Sequence, residues 1–215
     1  MLTAFMVAEI AHAQGIKVAY QEDFNVEQQL QQIKDPAIRE AVKGQLKMDS
    51  GITFLSNKKG KSLYTRTNDE AFYKDTRKKQ LITQEIFLDR PFIVTEDLVP
   101  LHWELDNEEK NILNYPCKKA TLSENKKNIT AWYCPNIPIN DGPESYWGLP
   151  GLILQIEDGG RTITFQGIDM NSSDVDKTIS VPDKGEKMSR EKFNELREKK
   201  LKDIGGNGSI KVIQF

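Results

Sequence analysis

The sequence predicts an α+β fold: a curved, antiparallel, half-open barrel-like sheet, with an N-terminal helical region packed against it and a C-terminal helix at an edge. Turn signals recur about every 8 to 12 residues through the middle of the chain, which is typical of antiparallel strands rather than βαβ units. Helical patterns occur only towards the two ends of the chain, and no internal repeat is present.

The composition favours a water-soluble domain without a strong charge preference. The chain has 215 residues, of which 29% are charged, and a formal net charge of −2. A chain of this length builds one domain, over residues 14–215, after a short leading segment. Acidic and basic residues are interspersed, which argues against nucleic acid or an anionic membrane as a partner.

Residues 1–13 have the features of a short export signal. They are apolar and end in Ala11-His12-Ala13, the small-x-small pattern of a secretory cleavage site. The segment lacks a basic start, and a membrane span would need about 20 apolar residues. We therefore expect a truncated signal peptide, a mature chain beginning near Gln14 and a soluble periplasmic protein. An ordinary buried helix is the alternative.

Local patterns predict the elements that follow. Residues 16–23 alternate as a first strand. Asn25 and Asp35 can each cap a helical segment within residues 26–48. Further strands are predicted at residues 52–56, 62–67, 70–74, 81–88, 91–98 and 101–105.

A first long hairpin spans residues 112–134. The register that pairs Leu122 with Ile129 also places Cys117 opposite Cys134, the only two cysteines of the chain. Opposed strand residues have Cβ atoms about 4.5 to 5.5 Å apart, slightly farther than a disulfide needs, so a cross-strand bridge is the favoured interpretation. Free structural thiols and a redox or soft-metal pair are the alternatives.

A second hairpin spans residues 152–167 and turns at Gly159-Gly160. Two glycines supply the positive φ angles of a tight two-residue turn, and this register places Ile156 opposite Ile163. A polar loop is then expected over residues 169–176. Ser189 caps a last helix to residue 203, and residues 210–215 form a terminal strand.

The most informative motif is GLPGLIL at residues 148–154, directly after an aromatic pair. Together with residues 102–105, 115–120 and 130–133, it resembles the GLPGLI family, which comprises exported Bacteroidetes proteins of uncharacterised function. The resemblance is dense over residues 101–170. It implies an exported, usually single-domain protein with an N-terminal signal, and no known catalytic or binding residue.

The segment around this motif is the best candidate interaction loop. Glycine and proline shape its backbone, so that its apolar side chains can pack in an unusual turn or form a docking patch. The alternative is that the loop closes the end of the sheet as part of the core. The candidate residues are Tyr146, Trp147, Leu149, Pro150 and Leu152.

No metal, cofactor or catalytic site is predicted. His102 is the only histidine after residue 13, and a single histidine is more often structural than a ligand. Asp169, Asn171, Asp174 and Asp176 lack the glycine and glutamate spacing of an EF-hand loop. Motifs of serine hydrolases, zinc proteases and phosphate-binding loops are missing from the sequence.

The favoured function is that of a non-enzymatic periplasmic binding or envelope-accessory protein, for an apolar ligand or a protein partner. By fold analogy, the expected sheet is similar to the half-open barrels of periplasmic lipoprotein carriers. The alternative is a redox or metal-handling protein that uses Cys117 and Cys134. A hydrolase that uses carboxylates is a third hypothesis, for which the sequence singles out no pair.

Overall fold

The computed structural model describes residues 15–24, 36, 49–66, 70–124, 127–170 and 172–204. Within these ranges twelve strands form one sheet, accompanied by two helices. The elements are β1 (Gly15–Phe24), β2 (Asp49–Asn57), β3 (Lys61–Thr65), β4 (Ala71–Asp75), β5 (Gln80–Phe87), β6 (Arg90–Asp97), β7 (Glu104–Ile112), β8 (Tyr115–Glu124), β9 (Lys127–Cys134), β10 (Leu152–Asp158), β11 (Arg161–Asp169), α1 (Val175–Thr178), β12 (Glu186–Ser189) and α2 (Arg190–Ile204).

The strand order is β12-β6-β5-β4-β3-β2-β1-β11-β10-β9-β8-β7. Neighbouring strands are antiparallel, apart from β12, which runs parallel to β6. Most of the sheet therefore consists of two runs of consecutive hairpins, β2 to β6 and β7 to β11. Strand β1 joins the two runs, since it pairs with β2 on one side and β11 on the other.

The sheet curls, because β6 and β7 are joined by a short connection. Residues 98–103 link the two strands, which lie ten strand spacings apart in the order. In a flat sheet that separation would be about 48 Å. Seven peptide steps reach at most about 25 Å. The two ends of the sheet must therefore approach each other and enclose an inner face.

Alternation along the strands explains which residues lie on that inner face. Tyr20, Phe54, Tyr64 and Phe165 are all fully or almost fully buried there. The Tyr20 ring meets Phe54 and Phe165 edge to face, with ring centroids 6.4 Å apart in each pair. Such pairs add about 0.5 to 1.5 kcal/mol to the stabilisation from burial alone. This aromatic cluster is the centre of the main core.

Two further segments cover the sheet. Helix α2 lies on the inner face of β5 and β6, where Phe193 packs on Phe92 and Val94. On the outer face, Ile179 packs against a smaller cluster that includes Leu63. No helix among the described residues combines the length and the apolar composition that crossing a membrane would require.

The predicted α+β class is wrong. Strands make up most of the described chain, in one open twelve-stranded sheet, and the two helices have 4 and 15 residues. A loop, rather than a long helix, packs on the middle of the inner face. The predicted helical region 26–48 lies outside the described residues apart from Pro36. The predicted signal segment 1–13 and terminal strand 210–215 also lie outside them.

Several local predictions are confirmed. Leu122 pairs with Ile129, and Ile156 pairs with Ile163, as the two hairpin registers require. The Gly159-Gly160 turn has φ angles of 58° and 90°. Backbone N–H of Lys192 donates to Ser189 Oγ at 3.4 Å, which is the expected helix cap.

Other boundaries differ from the prediction. Residue Ile112 ends β7 instead of opening the next strand, because the chain reverses at Leu113, whose φ is 52°. The predicted strand 101–105 gives way to β7, which begins at Glu104. The expected polar loop 169–176 contains the first residues of α1, whose Val175 is buried.

Candidate functional site

The segment between β9 and β10, residues 135–151, crosses the inner face and is called the central loop here. Backbone hydrogen bonds hold this loop against the end of β9 and the start of β10. Ile137 N–H donates to Cys134 O at 3.1 Å, Leu152 N–H donates to Ile137 O at 3.0 Å, and Ile153 N–H donates to Asp141 O at 3.0 Å. These bonds satisfy backbone groups that burial would otherwise leave without partners. The loop is therefore a fixed part of the core.

Gly151 allows the central loop to pass close to the end of β9. Its φ is +154°, and a Cβ built there would lie 2.2 Å from the carbonyl oxygen of Cys134. Gly148 also has a positive φ, +92°, but a Cβ there would meet nothing within 4 Å. The motif thus contains one glycine required by close approach and one required by backbone conformation alone.

A buried lysine of β4 anchors the central loop through an ion pair and hydrogen bonds to loop residues. Lys74 is 0% exposed, and its Nζ lies 2.5 Å from Asp141 Oδ1. The same ammonium donates to the carbonyl oxygens of Gly142, at 2.7 Å, and Tyr146, at 3.2 Å. Burial lowers the pKa of Lys74, and the attraction of Asp141 opposes that shift. Each ammonium proton therefore has a loop acceptor available, as a buried charge requires.

A second buried cluster joins four charged residues from distant parts of the chain, and we call it the arginine–glutamate cluster: Glu22, Arg66, Glu144 and Arg161. Arg161 binds Glu144 in a bidentate manner, Nη1 to Oε1 at 2.8 Å and Nη2 to Oε2 at 2.9 Å. Arg66 Nη2 lies 2.6 Å from Glu144 Oε1 and 3.1 Å from Glu22 Oε1. Two glutamates thus bridge two guanidinium groups.

Burial and charge act in opposite directions within this cluster. Burial raises the pKa of the Glu22 carboxyl, although Arg66 and Arg161 pull it down. For Arg161, burial alone would lower the pKa, but the attraction of Glu144 and Glu22 raises it. Both arginines therefore stay charged, whereas the Glu22 carboxyl binds its proton more tightly than a solvated glutamate does.

Tyrosine hydroxyls border the arginine–glutamate cluster. Tyr146 OH donates to Asp158 Oδ2 at 2.9 Å, and burial raises the pKa of Tyr146 well above its ordinary value. Tyr64 OH is buried beside the cluster without a hydrogen-bond partner among the described residues. Burial also raises the pKa of Tyr64, so this hydroxyl keeps its proton at neutral pH.

An open cleft of about 450 Å³ adjoins the arginine–glutamate cluster. It lies between the central loop, strands β4 and β5 and helix α2, and we call it the inner cleft. Charged and aromatic side chains dominate its walls. The lining residues include Arg66, Glu70, Phe72, Glu85, Phe87, Glu144, Ser145, Tyr146, Asp158, Arg161, Arg190, Phe193 and Arg197. Its volume is in the range of small-molecule sites.

Helix α2 forms one wall of the inner cleft through residues that share one face. Arg190 lies 2.7 Å from Glu85 Oε1 and 2.8 Å from Glu96 Oε1, through Nη2. The guanidinium of Arg197 lies over two rings, with Cζ 5.8 Å from the centroids of Phe87 and Phe193. These contacts tie the helix to the sheet and bring cations and rings to the same wall.

Two other cavities are less suited to recognition. The larger, about 680 Å³, lies on the outer face between β2 to β5 and residues 180–184, and no aromatic ring lines it. A cavity of about 420 Å³ lies beside Gly15 and Pro138, at the edge of the central loop. Arg66 of the arginine–glutamate cluster also borders the larger cavity, and Asp141 borders the smaller one, but neither cavity is lined by Glu144, Arg161 or a residue of helix α2.

The predicted interaction loop is largely buried. Leu149 and Leu152 are 1% and 0% exposed, and Tyr146 is 7% exposed. Trp147 is half-buried and donates its Nε1–H to Val99 O at 3.0 Å, whereas Pro150 is exposed. The structure therefore places three of the five candidate residues in the core and leaves Trp147 and Pro150 at the surface.

The predicted disulfide is not formed. Cys117 and Cys134 are both free and buried, although Lys118 pairs with Tyr133 in the expected register. Opposed Cβ atoms in a sheet are farther apart than the roughly 3.8 Å of a disulfide, so a bridge requires local movement. Instead, the Cys117 thiol donates to Tyr115 O at 3.4 Å. The interaction with the neighbouring thiol, together with burial, raises the pKa of Cys117, whereas the same interaction lowers that of Cys134.

His102 and the acidic residues of 169–176, which the sequence did not favour as metal ligands, lie outside the lining of the inner cleft. His102 is exposed between β6 and β7. Asp176 accepts from Asn57 and Lys59, each at 2.7 Å, and Asp174 lies 3.9 Å from Lys177. Asn171 lies outside the described residues. Within the described ranges, no group of three or more histidine, cysteine, aspartate or glutamate side chains could hold a metal ion.

Sequence reasoning missed the arginine–glutamate cluster and Lys74. One signal was available: Glu22 continues the alternation of Val18 and Tyr20, so a charged residue occupies an apolar face of the first predicted strand. A buried charge needs a partner, which marks such a residue as significant. Its partner Arg161 is 139 positions away. No local pattern names a partner at that distance.

Part of the chain matches one family model. Residues 122–155 match the model of a family described as "Protein of unknown function (Porph_ging)". This segment includes β9 and the central loop. No curated protein matches the chain.

The fold is similar to parts of two solved structures. Both are of PNGF-II, in the P21 and C2 space groups, with TM-scores of 0.60 and 0.58 and 15% sequence identity. The match covers 86% and 87% of this chain but only 33% of each PNGF-II chain. This chain therefore spans about a third of the length of these structures, and the likeness is one of fold alone.

Proposed function

We propose that this protein is an exported, non-enzymatic binding protein that holds a polar small molecule in the inner cleft. One observation carries the proposal: a cavity of about 450 Å³ opens beside the buried arginine–glutamate cluster and is walled by charged and aromatic side chains. Rings supply flat contact area, and charged groups fix the orientation of a bound molecule.

The inner cleft suits a polar ligand better than the apolar ligand expected from the sequence. The apolar side chains of Leu149, in the central loop, and Leu152, at the start of β10, already fill the middle of the inner face. The space that remains is lined mainly by ionised groups. A purely apolar ligand there would remove water from those groups without replacing their hydrogen bonds, which is unfavourable.

Ligand screening by protein NMR tests this proposal. N-acetylglucosamine, phenylalanine and adenosine monophosphate serve as probes, because they differ in charge and in flat surface. We expect at least one of them to shift the backbone resonances of residues 144–146 together with those of residues 190–197.

Two variants decide where a probe binds. Ser145→Trp places a bulky ring in the inner cleft and should abolish the shifts, whereas Ser123→Trp, on an exposed hairpin, should leave them unchanged. The proposal fails if no probe shifts either group, or if the shifts persist in Ser145→Trp.

Export is a separate part of the proposal, and it rests on residues 1–13. Their apolar composition and the Ala11-His12-Ala13 ending suit cleavage by a signal peptidase. N-terminal sequencing of the protein recovered from the envelope of an exporting host is expected to start near Gln14. Recovery of an uncleaved chain from the cytosol would contradict it.

Membership of the GLPGLI family is also proposed. Residues 148–154 carry the motif and lie within the segment 122–155 that matches a family of unknown function. The structure gives this motif a physical role, because Gly151 and Leu152 fix the central loop against β9 and β10. A sequence alignment in which Gly151 and the cleft residues vary independently would weaken the proposal.

A redox role of Cys117 and Cys134 is a second candidate. One observation favours it: the register of β8 and β9 places the two free thiols opposite each other, and the neighbouring Cys117 lowers the pKa of Cys134. Their burial opposes it, at 1% and 0% exposure, since reactive cysteines need access. Titration with an aromatic disulfide reagent should detect no thiol in the native protein and two after unfolding. Fast reaction of Cys134 in the native state would instead support the redox role.

A further inference from the structure

The inner cleft contains four guanidinium groups, and three of them are already neutralised. Arg161 and Arg66 are bound by Glu144 and Glu22. Arg190 is bound by Glu85 and Glu96. An arginine whose donors already point at carboxylates has little left to offer a ligand.

Arg197 is different. Among the described residues its guanidinium contacts only rings: Cζ lies 5.8 Å from the centroids of both Phe87 and Phe193. No carboxylate of the described chain lies within ion-pair distance of it. The side chain is half-buried and lies in the cleft wall. Its planar donors are therefore held in place by packing while their hydrogen-bonding capacity remains available.

We infer that the ligand of the inner cleft carries an anionic oxygen group, either a carboxylate or a phosphate, attached to a flat body. This inference rests on the proposed function. The anionic group binds the fork of Arg197. The flat body lies against the half-buried rings of the cleft, Phe72 and Phe87. A carboxylate and a phosphate each offer the paired oxygens that suit a guanidinium.

The acids of the cleft do not block such an anion. Glu144 and Asp158 each bind a partner, Arg161 and Tyr146 respectively. Glu85 is bound by Arg190. Glu70, the remaining acid of the lining, lies 3.5 Å from Arg66. Each of these acids is therefore held by a partner other than Arg197, which is the cation of the described wall without an acid beside it.

The test uses three probes with one ring each: phenyl phosphate, benzoate and neutral benzyl alcohol. Binding is followed by NMR titration of the full chain, using residues 144–146 and 190–197. We expect an anionic probe to bind at least tenfold more tightly than benzyl alcohol. The ratio of phenyl phosphate to benzoate identifies which anionic group the site prefers.

Variants of helix α2 assign the effect to one side chain. Arg197→Gln should weaken the preferred anion about tenfold, the usual scale of a lost charged hydrogen bond, and should leave benzyl alcohol unchanged. Arg197→Lys keeps the charge but loses the fork, so an intermediate affinity is expected. Lys192→Gln, an exposed position on the same helix, removes the same charge and should have no effect.

The possible outcomes separate this inference from the proposed function. Equal binding of benzyl alcohol and both anions, or no effect of Arg197→Gln, would overturn the inference while the cleft remained a binding site. Binding of any probe that persists in Ser145→Trp, or no binding of any probe, would overturn both. Unchanged thermal unfolding of Arg197→Gln shows that the helix is still in place.

Discussion

Two buried ionic sites lie beneath the central loop, and they differ in their access to solvent. At one, Lys74 and Asp141 have side chains that are 0% and 8% exposed, and loop backbone surrounds them. At the other, the arginine–glutamate cluster opens onto a cleft of about 450 Å³, and Arg66 is 18% exposed. The first fixes the loop, whereas the second presents fixed charges to a cavity. The two sites are therefore distinguished by their cations, because Arg66 and Arg161 line the inner cleft whereas the Lys74 ammonium is enclosed by loop backbone.

The sharpest test of this contrast is Lys74→Met. The substitution removes the ammonium and leaves Asp141 buried without its cation, so we expect a loss of about 3 to 5 kcal/mol in the free energy of unfolding. Urea unfolding measures it. The double variant Lys74→Met with Asp141→Asn should recover part of the loss, and the exposed control Lys192→Met should change stability by less than about 0.5 kcal/mol.

The two glycines of the central loop differ in a comparable way, because only Gly151 lies in close contact with neighbouring backbone. Gly151→Ala forces a Cβ to 2.2 Å from the Cys134 carbonyl oxygen, so it should cost roughly 3 kcal/mol or more. Gly148→Ala meets no atom within 4 Å and should cost only about 1 to 2 kcal/mol, through its positive φ. Equal losses in thermal unfolding would mean that the central loop can move away from β9.

Glu144→Gln tests the arginine–glutamate cluster, the ionic site that opens onto the inner cleft. It removes the bidentate partner of Arg161, but Glu22 remains and water can enter from the inner cleft. We expect a loss of about 2 kcal/mol, smaller than that of Lys74→Met. A loss as large as that at Lys74 would indicate that the cluster is sealed, and the distinction between the two sites would be wrong.

The smallest effect concerns pH. Burial raises the pKa of Glu22, so the native state holds this proton more tightly than the unfolded chain does. Its contribution to stability is therefore complete below the ordinary pKa of a glutamate and is lost as the pH rises through the raised value. The difference in unfolding free energy between the wild type and Glu22→Gln should therefore fall as the pH rises above the ordinary pKa of a glutamate. A difference that grows would show that the arginines dominate.

Local features of the fold could be predicted, and distant ones could not. Gly159-Gly160 and the apolar pairs of two hairpins predict registers that the structure has, because turn and partners lie within a few residues. The parallel pairing of β12 with β6 joins residues more than 90 positions apart. Arg161 and Glu22 are 139 positions apart. Such contacts depend on the curl of the whole sheet, which no local pattern encodes.

The same reasoning explains the errors. The fold class depended on the helical patterns of residues 26–48 and on a helix covering the sheet, but the central loop packs there instead. The cysteine pair was located correctly from the register, yet register alone does not bring two sulfurs within bonding distance. The candidate loop was recognised from its motif, and its burial follows from Leu149 and Leu152.

The most direct test of the account is a crystal structure of the protein grown with phenyl phosphate. The probe is expected in the inner cleft, with its phosphate on Arg197 and its ring beside Phe72 or Phe87, and the Lys74–Asp141 pair under the central loop is expected to be unchanged. A structure in which helix α2 closes the cleft, or in which the probe lies only elsewhere, would contradict it.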